Sequence, residues 1–96
     1  QSISGGSSIH YQLYLFPGER LTTYTYNVGL SRGSRIASVD TRGYLYDSNN
    51  NDVAYNNGGG GTFSITYDVV TEGAHRLRVR NTGSSGYYDV AFEVTY

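Results

Sequence analysis

Three arginines, Arg76, Arg78 and Arg80, alternate with Leu77 and Val79. In an extended strand this spacing projects all three from one face, about 7 Å apart along the chain. Each guanidinium is a planar fork of donors suited to anions. The favoured reading is structural: a solvated sheet face whose arginines pair with Asp89 and Glu93 on the neighbouring strand. The functional reading is contact with an anionic ligand or polymer.

Tyrosine is the other conspicuous resource, with 11 in the chain. A tyrosine ring supplies rigid contact area at low entropy cost and keeps a polar tip. Alternation places Tyr11, Tyr67, Tyr88 and Tyr96 inward, with Tyr24 and Tyr26 also assigned to the core. Tyr14, Tyr44, Tyr46, Tyr55 and Tyr87 have apolar neighbours on the opposite face and are the exposed candidates. They suit stacking on sugar rings or covering a protein polymer. Equally, tyrosine can simply fill sheet faces in place of Leu and Phe.

Catalytic chemistry finds little to work with. There are two histidines and no cysteine. His75 alternates with Leu77 and Val79 and reads as a hydrogen-bonded, partly buried side chain; His10 lies on a mixed face. No G-x-S-x-G or H-E-x-x-H pattern occurs, so the chain is expected not to be an enzyme. The run Asp47-x-Asn49-x-Asn51 imitates the start of a calcium loop, but Asp52 stands where that loop needs Gly and Gly58 where it needs a bidentate Glu. No metal site or cofactor is expected. A weak calcium site at Asp47, Asn49, Asn51 and Asp52 stays open against the plainer reading of a turn bonded to itself. Gly58–Gly61 lacks the Lys-Ser/Thr and the helix of a phosphate loop and reads as a flexible connection.

Short strands must position these groups. Alternation of apolar and polar residues recurs from Ile9 onward, punctuated by turn signals. It marks strands at about 9–16, 20–28, 35–39, 44–47, 53–55, 62–70, 74–81 and 87–96. Pro17-Gly18 and the Asn-rich run 47–52 are turns. The expected fold is an all-β antiparallel sandwich, jelly-roll-like, of seven to eight strands. Residues 1–8, rich in Ser and Gly, read as a flexible N-terminal tail or linker, and 9–96 as the sandwich domain.

Composition sets the outer limits. A chain of 96 residues holds one domain. Net charge is −1, which gives no global field for nucleic acid. No apolar run approaches the roughly 18 residues of a membrane span. A start at Gln1 rather than Met fits either a removed signal segment or a cloning boundary.

With those pieces in order, the chain resembles the bacterial pre-peptidase C-terminal (PPC) domain family. Leu15-Phe16-Pro17-Gly18-Glu19-Arg20-Leu21 is similar to the family's L-x-x-G-x-x-L turn. Asp40-Thr41-Arg42-Gly43-Tyr44-Leu45-Tyr46-Asp47 is similar to its D-L-D-L-Y-L-Y-D strand, followed by Val53-Ala54. Ser64-Ile65-Thr66-Tyr67, the stretch Glu72-Gly73-Ala74-His75-Arg76-Leu77-Arg78-Val79 and Gly86-Tyr87-Tyr88 match the later strands. Thr41 and Gly43 depart from it where apolar residues are usual, Arg42 where an acid is, and His75 where an aromatic is. More distantly the chain resembles the collagen-binding domains of clostridial collagenases, but residues 1–8 lack the acids of their calcium-binding linker.

The resemblance implies a secreted, non-catalytic module that attaches an exported enzyme, such as a peptidase, to an extracellular polymer: collagen-like protein or polysaccharide. Tyr14, Tyr44, Tyr46, Tyr55, Tyr87, Arg76, Arg78 and Arg80 are the candidate contacts. The alternative is a free-standing secreted effector: a small toxin, an inhibitor or a self-associating matrix protein. Ligand identity and oligomeric state are not encoded in any motif found.

Overall fold

Period-two alternation of β-branched and aromatic residues builds strands throughout. The computed structural model describes residues 1–31, 34–35, 38–58 and 60–96. It is all-β and contains no helix among those residues. In chain order the strands are β1 (Ser2–Ile3), β2 (Ser8–Leu15), β3 (Arg20–Tyr26), β4 (Leu30–Ser31), β5 (Ser34–Arg35), β6 (Thr41–Tyr46), β7 (Asp52–Asn56), β8 (Ser64–Asp68), β9 (Gly73–Asn81), β10 (Gly86–Tyr87) and β11 (Asp89–Thr95). The strand expected over 35–39 falls in part on residues 36 and 37, outside the described residues.

Two antiparallel sheets form the sandwich. One has the order β2-β9-β6-β7 and the other β11-β3-β8. Two short ladders, β1-β10 and β4-β5, add to them. No described helix is long and apolar enough to cross a membrane.

The core draws on both sheets. Leu15, Leu45, Leu77 and Val79 come from the four-stranded sheet, and Leu21 and Ile65 from the three-stranded one. Phe63, Val69 and Tyr88 close it from flanking segments. Tyr11 bridges the layers, with its ring 5.5 Å from that of Phe92 and its hydroxyl 2.7 Å from that of Tyr88. Burial, and secondly that hydrogen bond, push the Tyr88 phenol well above its ordinary range.

Phe16-Pro17-Gly18-Glu19 is a tight turn. The Glu19 N–H donates to the Phe16 carbonyl at 3.1 Å. Gly18 takes a φ of 91°, the positive value that the third residue of a type II turn requires. The Glu19 carboxylate folds back to accept the Phe16 N–H at 2.6 Å.

Several expectations need correction. Residues 1–8 are no free tail: Ser2 and Ile3 pair with Tyr87 and Gly86, and Ile3 is buried in the core. One apolar side chain and a backbone ladder hold a segment whose composition alone reads as a linker. In β3 it is Leu21, Thr23 and Thr25 that face inward, while Tyr24 is half-buried and Tyr26 exposed. The inward Thr25 hydroxyl is accommodated because it hydrogen-bonds across the sandwich. It lies 2.8 Å from that of Thr41 and accepts the Phe63 N–H at 3.1 Å. Tyr96 lies beyond the end of β11 and is 97% exposed. The final strand is broken at Tyr88 into β10 and β11.

Candidate functional site

Strand register decides which candidates meet. β9 lies between β2 and β6. Its inward residues His75, Leu77 and Val79 are fully buried, so Arg76, Arg78 and Arg80 project outward. Across the β6 ladder, Arg80 faces Arg42, Arg78 faces Tyr44 and Arg76 faces Tyr46. Tyr55 follows on β7 opposite Tyr44. On the other flank, Ser8, His10, Gln12 and Tyr14 of β2 oppose Arg80, Arg78, Arg76 and Ala74. Seven of the eight candidate contacts therefore share the outer face of the four-stranded sheet. Tyr87 does not: it is 53% exposed but sits on the β1-β10 ladder.

Arg42 belongs to this face and was not among the expected contacts. Its signal was the alternation Arg42, Tyr44, Tyr46, interrupted visually by Gly43. That glycine has a packing cause. A Cβ there would stand 2.5 Å from Cδ1 and Cε1 of Phe63, so the phenyl ring needs the bare backbone.

The arginines and tyrosines are layered. The Arg76 guanidinium lies 4.5 Å from the centre of the Tyr46 ring, and that of Arg78 lies 5.0 Å from the centre of the Tyr44 ring. Both distances are within cation–π range. Tyr44 also packs on Tyr55, with ring centroids 4.8 Å apart. Hence Tyr44 and Tyr46 are half-buried, whereas Tyr55 and Tyr14 remain 48% and 60% exposed. Arg76 donates to the Asn50 side chain at 2.9 Å and Arg78 to the Ser8 hydroxyl at 2.9 Å. Both acceptors are neutral.

The expected pairing with Asp89 and Glu93 does not occur. Those acids are on β11, next to β3 in the other sheet. Among the described residues the one ion pair is Arg20–Asp68, at 2.7 Å, also on that other sheet. Among the described residues Asp52, opposite Tyr46, is the single acid that the strand registers place on the arginine face. Glu72 reaches its margin, accepting the Tyr14 hydroxyl at 2.9 Å, and this bond raises the Tyr14 pKa. The Arg42 Nε is buried with no partner among the described residues. Among the described residues, positive charge is concentrated on this face, although the chain as a whole is slightly acidic.

The two histidines lie on opposite faces of this sheet. His75 is fully buried. Its Nδ1 sits 2.9 Å from the Gly73 carbonyl, which can only accept, so Nδ1 carries the proton. Its Nε2 has no partner among the described residues. In the Asn-rich turn, one Asp47 oxygen accepts the N–H groups of Asn49 and Asn51, both at 2.9 Å. The other accepts the Asn51 amide at 3.3 Å. The carboxylate is thus engaged with its own turn, and the Asn51 N–H foremost holds its pKa below the ordinary range. No group of three or more His, Cys, Asp or Glu suited to a metal ion occurs among the described residues.

No protein-family model matches the chain, and no curated protein matches it.

Proposed function

We propose that the domain is a non-catalytic binding module of an exported enzyme, and that it grips an extracellular polymer with the outer face of its four-stranded sheet. The observation that carries this reading is the convergence of Tyr14, Tyr44, Tyr46, Tyr55, Arg76, Arg78 and Arg80 on that face. A sheet face spread over four strands suits an extended ligand better than a small one, which favours a concave pocket. Aromatic and Arg side chains are the types that dominate binding energy at interfaces. The resemblance to the PPC family supports the same reading and adds the expectation of export.

The test is retention of the purified domain on insoluble collagen, chitin, cellulose and bacterial cell wall, with and without calcium. Retention on one of them is expected. It should be lost in Tyr44→Ala/Tyr46→Ala and in the triple Arg76→Ala/Arg78→Ala/Arg80→Ala variant, with circular dichroism confirming that both still fold. Retention of both variants at the wild-type level would show that the wrong surface has been named.

A further inference from the structure

Resting on the binding-module reading, we propose that the polymer is a polyanionic polysaccharide, and that Arg42, Arg76, Arg78 and Arg80 hold its carboxylate or sulfate groups. Three observations lead there.

First, four guanidinium groups share one sheet face with no carboxylate partner among the described residues. Arg42 and Arg80 are directly opposite each other, an arrangement that repels unless an anion sits between them. Among the described residues Asp52, opposite Tyr46, is the one acid that the register places on this face, and the four arginines outnumber it. Asp68 lies on Arg20, Asp47 in its own turn, Asp89 beside Asn27 and Glu93 on the other sheet.

Second, the guanidinium groups of Arg76 and Arg78 lie over Tyr46 and Tyr44, so those rings present a covered face. Stacking of neutral sugars or of bases needs that face free. A guanidinium stacked on a ring still offers its N–H edge, the edge that binds anions in a bidentate manner. The tyrosines then serve as platforms that fix the arginines.

Third, the stripe is linear. Successive arginines on β9 recur about every 7 Å, which suits a chain carrying charges at intervals rather than one compact ion.

The experiment titrates the domain with dextran sulfate, polygalacturonate, unmodified dextran and oligo(dT), beside the collagen, chitin and cellulose retention assay. Binding to dextran sulfate or polygalacturonate and not to dextran is expected, weakening steeply with salt. Which of the two binds tighter identifies sulfate or carboxylate as the group read. Arg42→Gln/Arg80→Gln should weaken it at least about tenfold, as the loss of a charged hydrogen bond does. Arg20→Gln, on the other sheet, removes one charge from the chain and should leave binding unchanged. Thermal melts of each variant exclude unfolding as the cause. Equal binding to dextran, equal weakening by Arg20→Gln, or oligo(dT) binding as tight as that of the glycans would overturn the proposal. Retention on collagen, chitin or cellulose without binding to either polyanion would overturn it while leaving the binding-module reading intact. Retention on nothing would remove both.

Discussion

Arg42 stands directly opposite Arg80 across the β6–β9 ladder, and neither has an acidic partner among the described residues. Like charges so placed destabilise a sheet by about 0.2–1 kcal/mol. Arg80→Gln is therefore expected to raise the unfolding free energy of the free domain by that order, because Arg80 is the more exposed of the two. The gain should vanish in 1 M salt, where charges are screened within about 3 Å. Urea unfolding at low and high salt checks this; a loss of stability at low salt would mean the repulsion is already relieved.

Gly43 is expected to resist substitution. Its missing Cβ is where the Phe63 ring packs, and Phe63 is buried, so the ring has little room to withdraw. Gly43→Ala should cost about 1–3 kcal/mol, the usual penalty for overpacking. Adding Phe63→Leu should make the Gly43→Ala change less costly than it is in the wild-type background, which a double-mutant cycle by denaturant unfolding would detect.

The buried hydroxyls of Thr25 and Thr41 have a fixed direction. Thr41 donates to the Gly61 carbonyl at 2.6 Å, so the proton between the two hydroxyls must come from Thr25. Thr25 in turn accepts from Phe63. Thr25→Val leaves a buried N–H unpaired and should cost about 1–3 kcal/mol. Thr25→Ser, which keeps the oxygen, should cost less. Equal losses in the two variants would mean that packing of the methyl group, rather than the hydrogen bonds, sets the cost.

Acid should loosen the Asn-rich turn before it affects the core. The native Asp47 pKa lies below its unfolded value, chiefly through the Asn51 N–H. Its contribution is therefore complete above roughly pH 4, the ordinary carboxylate value, and disappears as pH falls through the native pKa. Asp47→Asn should lower Tm at neutral pH, and the gap from wild type should close on acidification. Melting curves between pH 2 and 7 measure it. Asp68, lowered by its hydrogen bond to Arg20, contributes with the same sign and supplies the residual slope in the variant.

The legibility of the fold varied by strand for physical reasons. β9 was readable because its two faces differ in kind: Arg outside, with His75, Leu77 and Val79 inside. In β3 both faces carry good strand formers, Thr and Tyr, and hydrophobicity alone favours burying Tyr. The network of Thr25, Thr41, Phe63 and Gly61 reverses that, and it joins residues up to 38 positions apart. Alternation picked out Tyr14, Tyr55 and Tyr87 as exposed, but it also assigned the exposed Tyr26 and Tyr96 to the core, and the arginine layer that half-buries Tyr44 and Tyr46 was not readable. That depends on β6 lying beside β9, and a local pattern holds no information on strand order. The same gap produced the mistaken pairing with Asp89 and Glu93.

The arginine stripe also bears on how the chain finds its fold. Side chains in a strand alternate strictly between faces, so a one-residue slip of β9 against β2 and β6 would turn Arg76, Arg78 and Arg80 into the core and expel Leu77 and Val79. Burying three unpaired charges is prohibitive. Misaligned pairings of the central strand are thereby eliminated, and the residues proposed to hold a ligand would also act as the alignment marks of the sheet.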